Sequence, residues 1–183
     1  MPDYRRVIQE GGIYFFTIVT YQRQKIFSLP ETRKLLLQSI DHVRIYHPFK
    51  IKAFCILLDH VHFLWRMPEN DSDYSMRINQ IKRRFSKQYI ARFGMPIRRS
   101  ESREKRREVT IWQRRFWEHW IRNEGDLIRH IDYIHYNPVK HGLVPRVCDW
   151  ESSSFHDYVR KGYYDLAWGE EIKINEKKYQ YGE

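Results

Sequence analysis

Two histidines interrupt an apolar run in "CILLDHVHFLW", residues 55–65. Side chains two residues apart on a β-strand point to the same face, so His60 and His62 present two imidazoles side by side while Val61 faces the core. Neighbouring imidazoles at this spacing suit a divalent cation. The same pattern is also typical of two partly exposed histidines on a sheet face, so it predicts a metal site only with further ligands.

A second group of chemically useful residues lies about seventy positions later, in "DYIHYNPVKHGLV". Tyr133 and Asn137 are four residues apart and therefore share one helical face. An Asn carbonyl is a competent ligand for a hard metal ion, and a Tyr beside that ion can act as a nucleophile. Tyr136 is a rival nucleophile, but Lys140 follows it four residues later and is no metal ligand. Tyr133 also fits a core aromatic of an amphipathic helix.

The elements that would position these residues follow the order β-α-β-β-α-β-α. Residues 12–22 and 111–121 are predicted to be strands, and residues 49–67 a hairpin or a bent strand around Asp59. A helix with Ser28 as its N-cap ends before His47, a second begins at Asp71, and a third is stopped by Asn137-Pro138. This order predicts an α+β, ferredoxin-like split βαβ plait, with one mainly antiparallel sheet and helices on one face.

Positive charge is concentrated in one segment of the chain. Residues 77–115 carry 14 Lys and Arg against 3 Asp and Glu, whereas the rest carries 19 against 20, and the whole chain has a net charge of +10. A single-sign block indicates a polyanionic partner, and nucleic acid is favoured over a membrane surface because the block has no clean apolar face. Within it, residues 94–110 have no hydrophobic period and are predicted to form a basic flexible loop.

Composition limits the remaining possibilities. The 183 residues suit a single domain, and 42% hydrophobic with 31% charged residues excludes a disordered or fibrous chain. The N-terminus has no apolar signal segment, and the longest apolar run, "AFCILL", is far too short to span a membrane. Two distant cysteines suit reduced thiols. We therefore expect a cytoplasmic protein of one domain, with an aromatic-rich tail from about residue 145 that wraps it.

Four sequence blocks together resemble a known family. "DHVHFLW" followed by "YIHYNPVKHGLV" resembles the paired signature of the single-tyrosine HUH transposases. The blocks "YRRVIQEGGIYFFT", "WQRRFWEHWIRN", "DYIHYNPVKHGLV" and "DWESSSFHDYVRKGYY" are similar to the REP-associated tyrosine transposases, bacterial proteins linked to repetitive extragenic palindromes. The resemblance extends from Tyr4 to about Gly169.

The resemblance implies a set of roles. His60, His62 and Asn137 would bind Mg²⁺ or Mn²⁺, and Tyr133 would attack a phosphate of single-stranded DNA, giving a 5′-phosphotyrosine and a free 3′-hydroxyl without a nucleotide cofactor. The related mobile-element enzymes usually carry Gln where this chain has Asn137. They are also dimers that exchange the tyrosine helix, whereas the long tail here favours a monomer.

The implied DNA substrate is a short single-stranded sequence at the foot of an imperfect palindromic hairpin. Candidate contacts are the basic side chains Arg5, Arg6, Lys82, Arg83, Lys87, Arg114 and Arg115. The histidines expected to be structural are His119, His130, His135 and His141. Two alternatives remain open: a DNA-binding protein of this fold without turnover, and a metal-dependent phosphodiesterase in which water attacks.

Overall fold

The strands form one antiparallel sheet, seen in a computed structural model that describes residues 8–98, 100–106 and 109–170. Its spatial order is β2-β3-β1-β4. The split βαβ arrangement is confirmed, because the helix after β1 leads to β2 and leaves room for β3 between them. The strands are β1 (Ile13–Val19), β2 (Lys50–Ile56), β3 (His60–Arg66) and β4 (Trp117–Trp120).

Helices cover both faces of the sheet rather than the one face expected. The helices are α1 (Pro30–Tyr46), α2 (Tyr74–Phe93), α3 (Glu101–Lys105), α4 (Glu124–Lys140) and α5 (Phe155–Arg160), with 3₁₀ turns at Tyr21–Arg23, Ile26–Ser28 and Val147–Asp149. The first two pack on one face and α4 packs on the other. The reason is visible in β1, where Phe15 and Phe16 are both fully buried although they point to opposite faces.

Each face of the sheet therefore has its own apolar core. One core combines Phe16 and Trp65 of the sheet with Phe85 of α2. The other combines Leu64 of the sheet with Tyr133 of α4. Six of the seven residues of β3 are buried, so both of its faces lie inside the protein. The histidine pair consequently sits beneath α4 and not on an open sheet surface.

Two predicted helix boundaries are wrong for local reasons. Leu29, not Ser28, is the N-cap of α1, because the Ser28 hydroxyl donates to the Lys25 carbonyl within the preceding 3₁₀ turn. Helix α4 continues through Pro138 to Lys140 instead of stopping at the proline. A proline within the last helical turn removes one donor, and the turn still closes because the N–H groups beyond it bond back into the helix.

The segment 94–110, expected to be a basic flexible loop, contains a short helix. Helix α3 carries Arg103, whose side chain is buried. Its guanidinium donates to the carbonyls of Val109 and Trp112 and lies 4.0 Å from the ring centre of Tyr21. An arginine thus anchors the segment, a role that a search for hydrophobic periodicity cannot detect. Strand β4 is also shorter than predicted, and Gln113 to Arg115 form an exposed connection before it.

Residues 150–154, in the described part of the tail, lie along the outer edge of β2. The Ile56 N–H donates to the Ser152 carbonyl and the Ser154 N–H donates to the Phe54 carbonyl. The indole of Trp150 also donates to the Ile56 carbonyl. These bonds satisfy backbone groups that an edge strand would otherwise expose. Within the described ranges, no helix is long and apolar enough to cross a membrane.

Candidate active site

The two histidines of β3 lie side by side and deep in the protein. Their ring centres are 4.9 Å apart, and His60 and His62 are 1% and 0% exposed. Val61 between them belongs to the core on the opposite face, as strand geometry predicts. The pair is buried rather than partly exposed, and it faces α4.

Both histidines are fixed through the same ring nitrogen. The Nδ1 of His60 lies 2.6 Å from a carboxylate oxygen of Asp59, and the Nδ1 of His62 lies 3.0 Å from the hydroxyl of Thr17. Metal-binding histidines are typically held in this way, with one nitrogen bonded to a carboxylate or another oxygen and the other directed at the ion. Both Nε2 atoms are therefore the ligand-type atoms of this pair.

Asp59 holds a negative charge next to the first histidine. It also accepts a hydrogen bond of 3.1 Å from Arg23. Burial acts to raise the pKa of Asp59, but the bonds from His60 and Arg23 outweigh it and leave that pKa below its usual value. A carboxylate kept ionised beside His60 favours the tautomer with its proton on Nδ1. Sequence reasoning did not assign a role to Asp59 or Thr17, although Asp59 directly precedes His60.

Helix α4 brings the predicted tyrosine and asparagine to the histidine pair. The ring of Tyr133 packs edge-on against His62, with ring centres 5.4 Å apart, and is 2% exposed. Asn137, one turn further along the same face, is fully buried. The ring of Tyr136 instead lies next to Gly169. The structure thus brings His60, His62 and Tyr133 into contact, and Asn137 lies one helical turn beyond Tyr133.

Two further residues of α4 and its C-terminus enter the same site. The ammonium of Lys140 donates to the hydroxyl oxygen of Tyr133 at 3.2 Å and lies 4.9 Å from the centre of its ring. The ring of His141, expected to be a structural histidine, lies 5.1 Å from that of His60. Lys140 could have been recognised from its spacing, because it lies seven residues, or about two helical turns, after Tyr133.

Four of the predicted DNA contacts line one groove, which we call the basic groove. It has a volume of about 620 Å³ and lies between α2 and the segment from Arg103 to Arg114. Its charged and aromatic lining consists of Lys82, Arg83, Lys87, Arg103, Trp112 and Arg114. Arg103 and Trp112 are buried in its floor, whereas Arg83, Lys87 and Arg114 are exposed and give the groove a cationic surface that suits a polyanion.

Lys82 has a structural part in this groove. Its ammonium donates to the carbonyls of Gln113 and Arg114 and ties α2 to the exposed connection before β4. Burial, together with the nearby Arg103 charge, lowers the pKa of Lys82 to about 8. Arg83 and Lys87 are exposed on the same helix and are better placed to meet a ligand.

The basic groove and the histidine pair share one end of the sheet. Strand pairing places Val19 opposite His60 and Thr20 opposite Trp112, so the groove begins where β3 begins. Arg115 is exposed in the connection between Trp112 and β4 but does not line the groove. Arg5 and Arg6 lie outside the described residues.

Three of the histidines expected to be structural lie in hydrogen-bonded positions. His119 bonds to the carboxylate of Asp126 at 2.8 Å, and His130 bonds to the Asp126 carbonyl at 2.8 Å, with the two rings stacked 4.7 Å apart at 13°. Ligand-type atoms of these three residues lie within 4.8 Å of one another. Nearly parallel rings do not converge on one ion, so the hydrogen bonds account for this cluster. His135 bonds to the hydroxyl of Ser154, as a structural histidine would.

Comparisons with known proteins identify the family. The family model described as "Transposase IS200 like" matches residues 9–137. A protein of Escherichia coli K12 named REP-associated tyrosine transposase is 38% identical over 172 residues, which cover 94% of this chain and 93% of that protein. A Haemophilus influenzae protein given the same family name is 45% identical over 172 residues, covering 92% and 94%. The chain belongs to the REP-associated tyrosine transposases.

A solved structure of another REP-associated tyrosine transposase supports the same assignment over the whole chain. That protein, bound to a REP hairpin, matches with a TM-score of 0.79 and 35% identity, and the match covers 100% of this chain and 98% of that one. The α+β fold with its four-stranded antiparallel sheet is therefore the fold of this family of transposases. The two histidines of β3, together with Tyr133 and Asn137 of α4, form the candidate active site of a member of that family.

Proposed function

We propose that this REP-associated tyrosine transposase cleaves and rejoins single-stranded DNA next to palindromic hairpins, with Tyr133 as the nucleophile. The observation that carries the proposal is the packing of Tyr133 directly against His62 within one chain. A nucleophile beside a potential metal site is the arrangement that phosphoryl transfer requires. Because both come from the same chain, we also propose that a single molecule suffices for cleavage.

The donor set fits a divalent ion. The residues that would hold it are His60 and His62 through Nε2 and Asn137 through its amide oxygen, and the fixed Nδ1 atoms of the histidines support this assignment. Oxygen ligands from Asn and phosphate favour Mg²⁺ or Mn²⁺. When bound, such an ion would polarise the scissile phosphate.

The chain's own residues would carry out the bond changes. The Tyr133 oxygen attacks phosphorus, the bond from phosphorus to the 3′ oxygen breaks, and the tyrosine's proton is balanced by protonation of that leaving oxygen. The products are a 5′-phosphotyrosine and a 3′-hydroxyl. Lys140, at 3.2 Å from the attacking oxygen, would stabilise negative charge on it. The covalent link keeps the bond energy for rejoining, so no nucleotide cofactor is needed.

Hairpin DNA is the proposed partner. The solved relative that covers the whole chain is bound to a REP hairpin. In this chain, the basic groove offers Arg83, Lys87 and Arg114 for phosphate contacts, and Arg115 lies next to it. Arg5 and Arg6 remain candidates for base contacts. A substrate in bacterial DNA would place the protein in the cytoplasm, without membrane attachment.

A labelled hairpin oligonucleotide with a single-stranded flank tests the proposal when it is incubated with the protein and Mn²⁺. We expect a covalent protein–DNA adduct that survives denaturing electrophoresis. Tyr133→Phe removes the attacking oxygen and should abolish the adduct. Tyr136→Phe removes a hydroxyl from the same helix and should leave the adduct unchanged.

Other outcomes would contradict the proposal in different ways. DNA cleavage that persists in Tyr133→Phe would show that water is the nucleophile. Tight hairpin binding by the wild-type chain without cleavage on its cognate hairpin would show a binding protein without turnover. His60→Ala should abolish cleavage while hairpin binding remains, and a loss of folding in that variant would instead show a structural role for the histidine.

A further inference from the structure

A second cleft lies away from the candidate active site, and we call it the tyrosine cleft. It has a volume of about 820 Å³ between the start of β2, the first half of α4, and α5 with the turn after it. Three tyrosines, Tyr158, Tyr163 and Tyr164, line it together with apolar residues of α4. Tyr163 is 70% exposed and Ile128 on the facing helix is 51% exposed, so a large apolar surface faces solvent.

The inner rings of the cleft are held in place by hydrogen bonds. The hydroxyl of Tyr158 donates to the carbonyl of Lys52, and the hydroxyl of Tyr164 donates to the carboxylate of Asp132. Tyr163 lies 5.5 Å from Tyr158 between ring centres, and its N–H donates to the Tyr158 carbonyl. The exposed ring therefore stands on a fixed support, which lowers the entropy lost when a planar group stacks on it.

Cations outnumber carboxylates around the cleft. Its lining includes Arg44, Lys50, Lys52 and Lys161 against Glu124 and Asp132. The carboxylate of Asp132 accepts the Tyr164 hydroxyl, and burial raises its pKa. Lys52 is the extra residue of a β-bulge, a device that redirects a side chain at a sheet edge. Positive charge beside an exposed aromatic ring is complementary to a nucleic-acid strand whose bases are unpaired.

The cleft is separate from the site of Tyr133. Its lining residues on α4 end at Asp132, whereas the candidate metal ligand Asn137 lies on the turn after Tyr133. From Ile128 to Asn137 the helix rises about 13 Å. Both places lie along one helix, so one DNA strand of a few nucleotides could reach from one to the other.

We propose that the tyrosine cleft binds unpaired nucleotides of the DNA substrate outside the cleavage point, with a base stacked on Tyr163 and phosphates held by Lys50, Lys52 and Lys161. The proposal rests on the proposed function, because it assumes that single-stranded DNA is the substrate. The basic groove on the opposite layer then serves a different part of the same DNA. Charge favours this occupant over an apolar partner protein.

Fluorescence anisotropy with a labelled oligothymidylate tests the cleft in the full chain. Tyr163→Ala should weaken binding about tenfold, since base stacking on an aromatic side chain contributes that order of affinity. Tyr163→Trp keeps a stacking face and should bind like the wild type. Tyr46→Ala is the matched control, because Tyr46 is 68% exposed on α1 outside the cleft.

The lysines give an independent measurement. The double change Lys50→Ala and Lys52→Ala should lower the slope of log affinity against log salt by about 0.7 for each phosphate that is no longer neutralised. Lys34→Ala, at an exposed position of α1, should leave the slope unchanged. Thermal melts of each variant show that it is folded. Equal affinity of Tyr163→Ala and Tyr46→Ala would overturn the proposal.

Two further results separate this inference from its alternatives. If Tyr163→Ala reduces self-association in sedimentation but leaves DNA binding intact, the cleft is a contact between copies and the proposal is wrong. If Tyr163→Ala forms normal Tyr133 adducts and binds oligothymidylate like the wild type, the proposal for the cleft is wrong while the proposed cleavage stands. If the wild-type protein forms no adduct under any condition but Tyr163→Ala still weakens oligothymidylate binding, the result supports the proposal for the cleft and refutes the proposed cleavage.

Discussion

Removing the carboxylate of Asp59 should weaken metal binding without unfolding the protein. Asp59 contacts His60 through a charge-assisted bond of 2.6 Å, and such bonds contribute about 1.5–3 kcal/mol. Asp59→Ala removes the group that orients His60, so we expect about 10–100-fold weaker binding of Mn²⁺. Asp59→Asn keeps a neutral acceptor for the Nδ1 proton and should cost only about 1 kcal/mol, about fivefold in affinity.

Mn²⁺ binding is measured by the electron paramagnetic resonance signal of the free ion, and the rate of adduct formation is followed at rising Mn²⁺. Excess Mn²⁺ should restore the rate of Asp59→Ala, because the variant lowers affinity and leaves Tyr133 in place. Two control variants test whether the loss of Mn²⁺ affinity is specific to the Asp59 carboxylate. Arg23→Ala removes the second partner of Asp59, and Asp41→Ala removes a carboxylate whose side chain is 70% exposed.

One result would contradict the role of Asp59 in fixing the tautomer of His60. If Asp59→Ala binds Mn²⁺ with wild-type affinity, the bond to Nδ1 does not direct the Nε2 of His60 at an ion. A rate that stays low at saturating Mn²⁺ would show that Asp59 acts in some step other than metal binding.

Three further predictions concern activity and stability. Lys140→Met should slow adduct formation while oligothymidylate binding stays unchanged, because the variant removes only the ammonium beside the attacking oxygen; equal rates would contradict that role. Arg77 is 2% exposed and bonded to Asp71, whose side chain is 34% exposed and can be hydrated, so Arg77→Ala should cost about 1–3 kcal/mol of unfolding free energy in urea, against little change for Arg83→Ala. Burial lowers the pKa of His130 to about 4 and of His135 to about 3, so the folded state resists a proton that the unfolded state takes up below about pH 6.5. Stability should therefore fall by about 2 kcal/mol per histidine between neutral pH and about pH 5, and His135→Gln should flatten that pH dependence; an unchanged slope would contradict it.

Hydrophobic periodicity and residue spacing were sufficient to predict the order of the helices and strands. Runs of β-branched and aromatic residues in the strands, and apolar residues at helical spacing in α1 and α2, indicated the order of elements and the split βαβ arrangement. The continuous apolar run of β1 is itself a sign of burial on both faces, but it could not show that α4 would be the helix that covers the second face. Periodicity also missed α3, where the anchor is the guanidinium of Arg103.

The sequence pointed to the main residues of the candidate site but not to the residues that hold them in place. His60 and His62 follow from strand geometry, and their meeting with Tyr133 depended on family resemblance, since about seventy residues of chain separate them. Thr17 could not be anticipated, because its contact with His62 depends on the register of β1 against β3. Arg77 begins the basic block of residues 77–115 but is buried, which shows that charge pattern alone does not separate ligand contacts from structural pairs.

The short link between β4 and α4 has a consequence for how the enzyme behaves at low concentration. Residues 121–123 join the strand to the helix, and the helix folds back on its own sheet. If each molecule uses its own tyrosine, as we propose, dilution does not separate the histidines from Tyr133. The rate per molecule should stay constant over any dilution at which DNA remains saturating, as for a catalyst that needs no assembly step.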